Sequence, residues 1–433
     1  MKQFDVSFLP FNKTVKLEEG RTLLDAARKA DITLQSLCNG KGRCGKCKVR
    51  ILSKAGFSGL TRREKRVISE EEVAKGIRLA CQTEVFGDLV LEVPEESIFM
   101  GFVKDKVANK GHIPIQPFVN LYPIEITPPS LSNNESDVER IKRALKESYN
   151  VEVSKIDSFC FKDRPLTIRK ENWKVNVIVS GNEEILDIRP VKDRALYGIA
   201  VDIGTTTIGA YLYDLKDGYH LTSGSMLNPQ IKFGADIMSR IGYIGEKGTK
   251  GLVELHKCLI KGLNSLIGDM CRKIGISRRD IFDVTVVGNT VMHHIFLNIN
   301  PLGLGISPFT PYLTSSINIK ARDLGITINP SGNIYVLPVK GGFIGADNIG
   351  VVLAIKPYLS DYDHLIIDIG TNGEIVVGNK KRLVCASCAT GPALEGAHIR
   401  YGMRADTGAI EKVSIDLETK EVKYAVIGGG RPK

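Results

Sequence analysis

The 433-residue sequence contains no apolar run approaching the ~20 residues that cross a bilayer. Its first residues, MKQFDVSFLPFNK, lack the apolar core of an export signal. No dense Lys/Arg block and no basic-aromatic motif marks a nucleic-acid surface, although the formal net charge is +10. No Walker A pattern is present, and no Gly-x-Gly-x-x-Gly follows a strand, which removes the P-loop and dinucleotide-fold routes to nucleotide binding. Neither membrane nor nucleic acid is therefore an expected partner. The expected compartment is the cytoplasm, where thiols stay reduced. The basic balance reads either as a solvated surface or as a face for an acidic partner.

What is present points to several domains. The length suggests about three. Residues 1–95 read as a compact unit in which FDVSFL and KTVKLEE pair around a turn and TLLDAARKA forms a helix capped by Thr22. Two further strands, IRLACQTEV and DLVLEV, complete a small mixed sheet. Residues 96–130 carry Pro114, Pro117, Pro123, Pro128 and Pro129 and read as an extended linker. Residues 131–195 form a small α/β unit, with a helix opened by Ser136 and the strand WKVNVIV. From 196 to 433, apolar strand patterns alternate with helices, as in an α/β domain.

Nine cysteines occur, and four of them fall within the first 81 residues. Cys38, Cys44 and Cys47 share the loop LCNGKGRCGKC, and Cys81 follows after 33 further residues. Four thiolates can hold a [2Fe–2S] cluster. Gly40, Gly42 and Gly45 let backbone N–H groups approach its sulfides, and Arg43 adds positive charge. Structural zinc more often shows two close ligand pairs, whereas Cys81 stands alone. Cys258 and Cys271 lie in a helical pattern and read as small core residues.

A second motif appears twice. YGIAVDIGTTTIGAYLYDL at 197–215 and HLIIDIGTNGEIVVGNK at 364–380 each place Asp-Ile-Gly-Thr between two strands. The glycine opens backbone N–H groups to a phosphate, the threonines add hydroxyl donors, and the aspartate can hold Mg²⁺. Two such turns can clamp one polyphosphate. The competing account is a pair of ordinary hairpins.

The cysteine loop resembles that of [2Fe–2S] ferredoxins of β-grasp fold, with the C-x5-C-x2-C spacing of the adrenodoxin-like branch. The two turns resemble the phosphate-1 and phosphate-2 motifs of the RNase H-like acetate and sugar kinase, Hsp70 and actin superfamily. GGFIGADNIGVVLA at 341–354 looks like its first connecting helix. Joined, the two halves resemble the ATP-dependent reductive activators of corrinoid proteins. LNPQIKFGADIMSRI, VVGNTVMHHIF and ASCATGPALEGAHIRYGM also look like that family's blocks. The expected architecture is a ferredoxin domain, a small α/β middle domain and an actin-like ATPase domain with duplicated lobes. The second lobe is expected to be incomplete, because the chain stops at AVIGGGRPK.

The resemblance implies one-electron reduction of Co(II) to Co(I) on a corrinoid protein, fed by a low-potential donor, with ATP and Mg²⁺ required. It implies Cys38, Cys44, Cys47 and Cys81 as cluster ligands. Asp202, Gly204, Thr205 and Thr206 become nucleotide residues of one lobe, and Asp368, Gly370, Thr371, Asn372 and Gly373 those of the other. Glu374 is the candidate for orienting the attacking water, with a cap or surface carboxylate as the alternative. Asn289 and Thr290 are expected at the cleft. The Gly/Ala/Ser-rich stretch from Cys385 to His398 is expected either to approach the macrocycle, with Ser387 or His398 as candidate axial ligands, or to pack tightly. Cys385 and Cys388 make only half a zinc or redox site. His293 and His294 should divide, one packed and one exposed. A homodimer is expected from the resemblance alone. The rival functions are a ferredoxin-type electron carrier with a non-hydrolysing docking domain, and a small-molecule kinase with a fused cluster.

Overall fold

The computed structural model describes residues 2–32, 34, 36, 40–42, 45–94, 97, 114–370, 372–390 and 408–432. It divides into two compact units, Met1–Ala346 and Asp347–Lys433.

The first unit opens with a five-stranded mixed sheet. β1 (Gln3–Leu9) and β2 (Lys13–Glu18) form an antiparallel hairpin, followed by α1 (Leu23–Lys29). Thr22 and Asp25 cap α1 reciprocally, as their spacing predicts. β3 (Lys48–Ile51) leads through the short helices α2 (Glu64–Val67) and α3 (Glu70–Ala74) to β4 (Ile77–Leu79) and β5 (Leu89–Glu92). The strand order is β2-β1-β5-β3-β4, with β1 and β5 parallel. Beside β4, the fully buried Glu64 receives Arg78 through two bonds of 2.8 and 2.9 Å. Burial opposes ionisation of Glu64, but the Arg78 guanidinium and the N–H groups of Thr61 and Leu79 hold its carboxyl below the usual range.

A second sheet follows. Its elements are β6 (Val119–Glu125), α4 (Asp137–Tyr149), β7 (Lys155–Ile156), α5 (Arg164–Lys170), β8 (Lys174–Ser180) and β9 (Glu184–Pro190), in the strand order β6-β8-β9-β7. β6 lies inside the Pro-rich stretch that reads as a linker. It is an edge strand, where the N–H missing from Pro123 is not needed by a neighbour.

The largest sheet carries β10 (Tyr197–Ile203), β11 (Thr207–Asp214), β12 (His220–Leu227), β13 (Ile281–Gly288), β14 (Ile317–Lys320) and β15 (Asn333–Val336), in the order β12-β11-β10-β13-β15-β14. Its helices are α6 (Ile237–Lys247), α7 (Thr249–Ile274), α8 (Thr290–Phe296) and α9 (Ala321–Leu324). Ile199, Val201 and Ile203 of β10 join Leu255, Leu259 and Leu263 of α7 in one core, which also takes Cys271. α7 stops at Gly275, whose φ of +72° gives the left-handed cap. An apolar cluster of Val119, Ile178, Leu186, Leu196 and Phe282 joins this sheet to the preceding one. Arg189 reinforces that junction at 2.8 Å from Asp280.

The second unit opens with α10 (Ala346–Ile355), a helix inside the stretch expected to be one. β16 (His364–Ile369), β17 (Asn372–Asn379) and β18 (Arg382–Ala389) form an antiparallel sheet. β19 (Ile410–Ile415) and β20 (Val422–Val426) form a hairpin. Among the described residues, no helix is long and apolar enough to cross a membrane.

Candidate functional site

The cysteine site is built where the ferredoxin-like sheet meets its long loop. Cys47 precedes β3 and Cys81 follows β4. They are 1% and 6% exposed, inside the domain core. Cys38, Cys44 and Arg43 lie outside the described residues. Gly40, Gly42 and Gly45 have φ of +77°, +67° and +66°, a region that side chains other than glycine avoid. Gln82 ties the loop down. Its Nε2 donates to the Gly40 carbonyl at 2.8 Å and to the Cys81 carbonyl at 3.0 Å, and lies 3.6 Å from the Cys81 sulfur. A Cβ on Gly42 would meet the Gln82 side chain at 2.7 Å. Buried thiol donors beside left-handed glycines fit an anionic iron–sulfur group. Among the described residues, no three His, Cys, Asp or Glu side chains are placed to hold a metal ion, and two of the four predicted ligands lie outside that set.

The first Asp-Ile-Gly-Thr turn follows β10. Asp202 stands at the strand end, opposite Gly209 of β11 and Val287 of β13. The Gly204 N–H donates to the Thr207 carbonyl at 3.1 Å, and a Cβ on Gly204 would lie 2.5 Å from that oxygen. Only glycine fits this turn. The Thr205 hydroxyl accepts from Asn289 Nδ2 at 3.0 Å. Its own proton is thus free to point to an anion. Asn289 also caps α8 through the Met292 N–H, and the Thr290 hydroxyl donates to the Gly341 carbonyl at 2.7 Å. Asn289, expected at the cleft, thus lies against this turn.

Two further residues, not singled out by motif, clamp this turn from beneath. Asn228 Nδ2 donates to the Gly204 carbonyl at 2.8 Å, and the Asn228 N–H donates to the Thr206 carbonyl at 2.8 Å. Arg240 on α6 is fully buried and donates to the Thr205 carbonyl at 2.5 Å. Both sit in LNPQIKFGADIMSRI. The signal was a run in which the polar residues Asn228, Gln230, Lys232, Asp236, Ser239 and Arg240 alternate with apolar ones.

The second turn follows β16. Asp368 faces Glu374 of β17, which faces Ser387 of β18. The Ser387 hydroxyl donates to Glu374 Oε1 at 3.2 Å. Burial raises the Glu374 pKa, the bond from Ser387 opposes this, and the Asp368 charge adds to it. The Gly370 N–H donates to the Asn372 carbonyl at 2.9 Å, and the Thr390 hydroxyl donates to the Gly370 carbonyl at 3.1 Å. Gly373 is buried against Thr390 and Cys388. Thr371 lies outside the described residues.

Other expected features resolve differently. Cys385 through Ala389 belong to strand β18 rather than to a loop, and 391–407, with His398, lie outside the described residues. Cys385 and Cys388 are three apart on a strand and so leave opposite faces, which rules out a chelating pair. The predicted split of His293 and His294 is corrected: they are 2% and 0% exposed. Every residue of α8 is buried, so the helix has no solvent face. His294 Nδ1 lies 2.8 Å from the Thr290 carbonyl, and its Nε2 accepts from the Tyr312 N–H at 3.0 Å.

The ferredoxin-like sheet also touches the segment that carries Asn228 and Arg240. Arg28 of α1 donates to the Lys232 carbonyl at 2.7 Å and lies 5.5 Å from the Tyr243 ring centroid. Lys232 pairs with Asp31 at 2.7 Å.

Family comparisons agree with this layout. A 2Fe-2S iron-sulfur cluster binding domain matches residues 8–85. The RACo linker region matches 108–195, the RACo middle region 197–358, and the C-terminal ASKHA domain of RACo 363–433. The corrinoid activation enzyme RamQ of Eubacterium limosum is 34% identical over 431 residues, covering 99% of this chain and 68% of that protein. The chain belongs to the RACo family of reductive activators. A solved structure described as a reductive activator for corrinoid, iron-sulfur protein superposes with a TM-score of 0.62 at 34% identity, covering 99% of this chain and 70% of that one. A Methanosarcina barkeri reductase of the methylated amine-specific corrinoid protein is 26% identical over 226 residues, covering 50% of this chain and 40% of that protein. The RACo architecture of a ferredoxin domain ahead of an ASKHA ATPase domain is thus the architecture of this chain.

Proposed function

We propose that this chain reactivates a corrinoid protein by passing one electron from a [2Fe–2S] cluster to Co(II), giving Co(I), with ATP as the energy input. One observation carries the reading. A glycine-lined cysteine site and a preformed phosphate turn stand in one folded unit, in a chain that matches a corrinoid activation enzyme over 99% of its length.

Cys38, Cys44, Cys47 and Cys81 hold the cluster, which when bound supplies a single electron at low potential. Gln82 fixes the loop backbone against Cys81, and the domain core keeps Cys47 and Cys81 from water. Asp202, Gly204, Thr205 and Thr206 take phosphate oxygens and Mg²⁺ on one lobe. Asp368, Gly370, Thr371, Asn372 and Gly373 do so on the other. Glu374 orients the attacking water and accepts its proton as the bond to the γ-phosphoryl group breaks, leaving ADP and phosphate. Its raised pKa brings it nearer the value suited to a general base. ATP acts by binding two states of the ATPase domain unequally, because a ligand shifts an equilibrium only by its differential affinity.

The net charge of +10 favours an acidic face on the corrinoid partner. A low-potential donor, a cytoplasmic setting and a homodimer complete the reading. The test is anaerobic. The reduced protein is mixed with a Co(II) corrinoid protein, and Co(I) absorbance is followed with and without MgATP. ATP-dependent Co(I) formation, lost in Cys47→Ser, is expected. Cluster reduction without Co(I), across several corrinoid partners, favours the electron-carrier alternative.

A further inference from the structure

Arg240 is a guanidinium with no surface at all, yet no carboxylate lies within ion-pair distance of it among the described residues. Its contacts are the Gly234 carbonyl at 3.0 Å, the Gln230 amide oxygen at 3.1 Å, the Met292 sulfur at 3.0 Å and the Thr205 carbonyl at 2.5 Å. All four are neutral. The nearby Asp236 carboxylate is occupied at the start of α6, where it accepts from the Ser239 N–H and hydroxyl. Burial pulls the Arg240 pKa down to about 9, against the weaker pull of Asp236 and Cys258. A buried cation without a counter-ion is unfavourable unless something offsets it.

Arg140 separates the general from the particular. It too is buried, and it too grips neutral acceptors, among them the carbonyls of Thr127, Asn133 and Glu135. Those acceptors shape the chain entering α4 and touch no candidate site. The same device under Arg240 ends on Thr205, between Gly204 and Thr206. Asn228 and Asn289 hold the turn at the neighbouring carbonyls and at the Thr205 hydroxyl.

We propose that Arg240 is the positioning residue of the first phosphate turn: it fixes the Thr205 carbonyl from beneath and supplies the buried positive charge that a bound triphosphate neutralises. The inference rests on the reading of Gly204–Thr206 as a phosphate site. It adds a residue that never touches nucleotide and acts through Thr205.

The experiment measures binding of MgATP and of magnesium tripolyphosphate by calorimetry, in the full chain and in Arg240→Lys and Arg240→Gln, with Arg140→Gln as a control. Arg240→Gln should bind both ligands at least tenfold more weakly than wild type. Arg240→Lys, which keeps the charge but not the fork, should recover a substantial part of that loss. Equal weakening in the lysine and glutamine variants assigns Arg240 to backbone bracing alone and overturns the proposal. Wild-type affinity in Arg240→Gln overturns it too. Should the variants not fold, hydrogen exchange on the wild-type chain decides: tripolyphosphate should slow exchange across 234–243, and no change there, with slowing confined to 203–207, contradicts the coupling. Absence of binding by the wild-type chain overturns the phosphate reading itself and is distinguishable from all of these.

Discussion

The two Asp-Ile-Gly-Thr turns share four residues and little else. Ile203 of the first is 1% exposed, and Ile369 of the second is 79% exposed. A Cβ on Gly204 would lie 2.5 Å from a carbonyl oxygen, whereas on Gly370 the nearest described atom would be 3.5 Å away. Asn228, Arg240 and Asn289 brace the first turn. The described bonds at the second come from its own strands and from Thr390 just beyond β18. A tetrapeptide therefore sets the turn, while neighbouring elements decide how firmly it is held. The first turn is preorganised, and the second carries the titratable chemistry, with Glu374 between Asp368 and Ser387.

The largest contrast should come from the glycines. Gly204→Ala should lower the free energy of unfolding by about 1–3 kcal/mol, because the methyl group has nowhere to go. Gly370→Ala should stay within about 0.5 kcal/mol, as for an exposed site. Urea denaturation of the two variants measures both. Equal losses would erase the distinction between the turns.

Asn228→Ala comes next. It strips the Gly204 carbonyl of a buried partner and should cost about 1–2 kcal/mol. MgATP affinity should fall with it, and calorimetry reads that loss. At the second turn the equivalent carbonyl, that of Gly370, is held by the Thr390 hydroxyl at 3.1 Å in an exposed hydrogen bond, so Thr390→Ala should cost less than Asn228→Ala.

The third test uses pH. Glu374 has a raised pKa in the folded state, so its contribution to stability is complete below the unfolded value and is lost as pH rises through the folded value. Denaturant midpoints of the second unit should fall across the window just above the ordinary glutamate pKa of 4.5. Glu374→Gln should flatten that slope. Glu64 in the ferredoxin domain has the opposite sign: its lowered pKa makes its contribution vanish as pH falls through the folded value.

The smallest effect concerns the contact beneath the first turn. The Lys232–Asp31 pair is largely exposed on the aspartate side and should contribute well under about 1 kcal/mol. Lys232→Glu should leave stability almost unchanged while loosening the contact of α1 with 228–243, which limited proteolysis between the domains would detect as faster cleavage.

Much of this was legible in residues close together in sequence. The cysteine spacing, the glycines at 40, 42 and 45, the caps at Thr22 and Ser136, and both strand–turn–strand Asp-Ile-Gly-Thr units are local signals. Gln82, Asn228 and Arg240 were not legible, because each acts on backbone in another segment of the chain. Arg240 meets Thr205 across 35 residues of sequence. β6 was hidden by prolines that an edge strand tolerates. The His293–His294 expectation failed because helical geometry gives angles between side chains but not what surrounds the helix.

On the proposed function, nucleotide at the first turn drives electron delivery from the cluster to cobalt. The most direct test is ATP-dependent Co(I) formation by Asp202→Asn, beside wild type, under anaerobic conditions with a low-potential donor. The variant should reduce its cluster normally yet make no Co(I) in response to ATP. Co(I) formation at the wild-type rate and with the wild-type ATP dependence would contradict it.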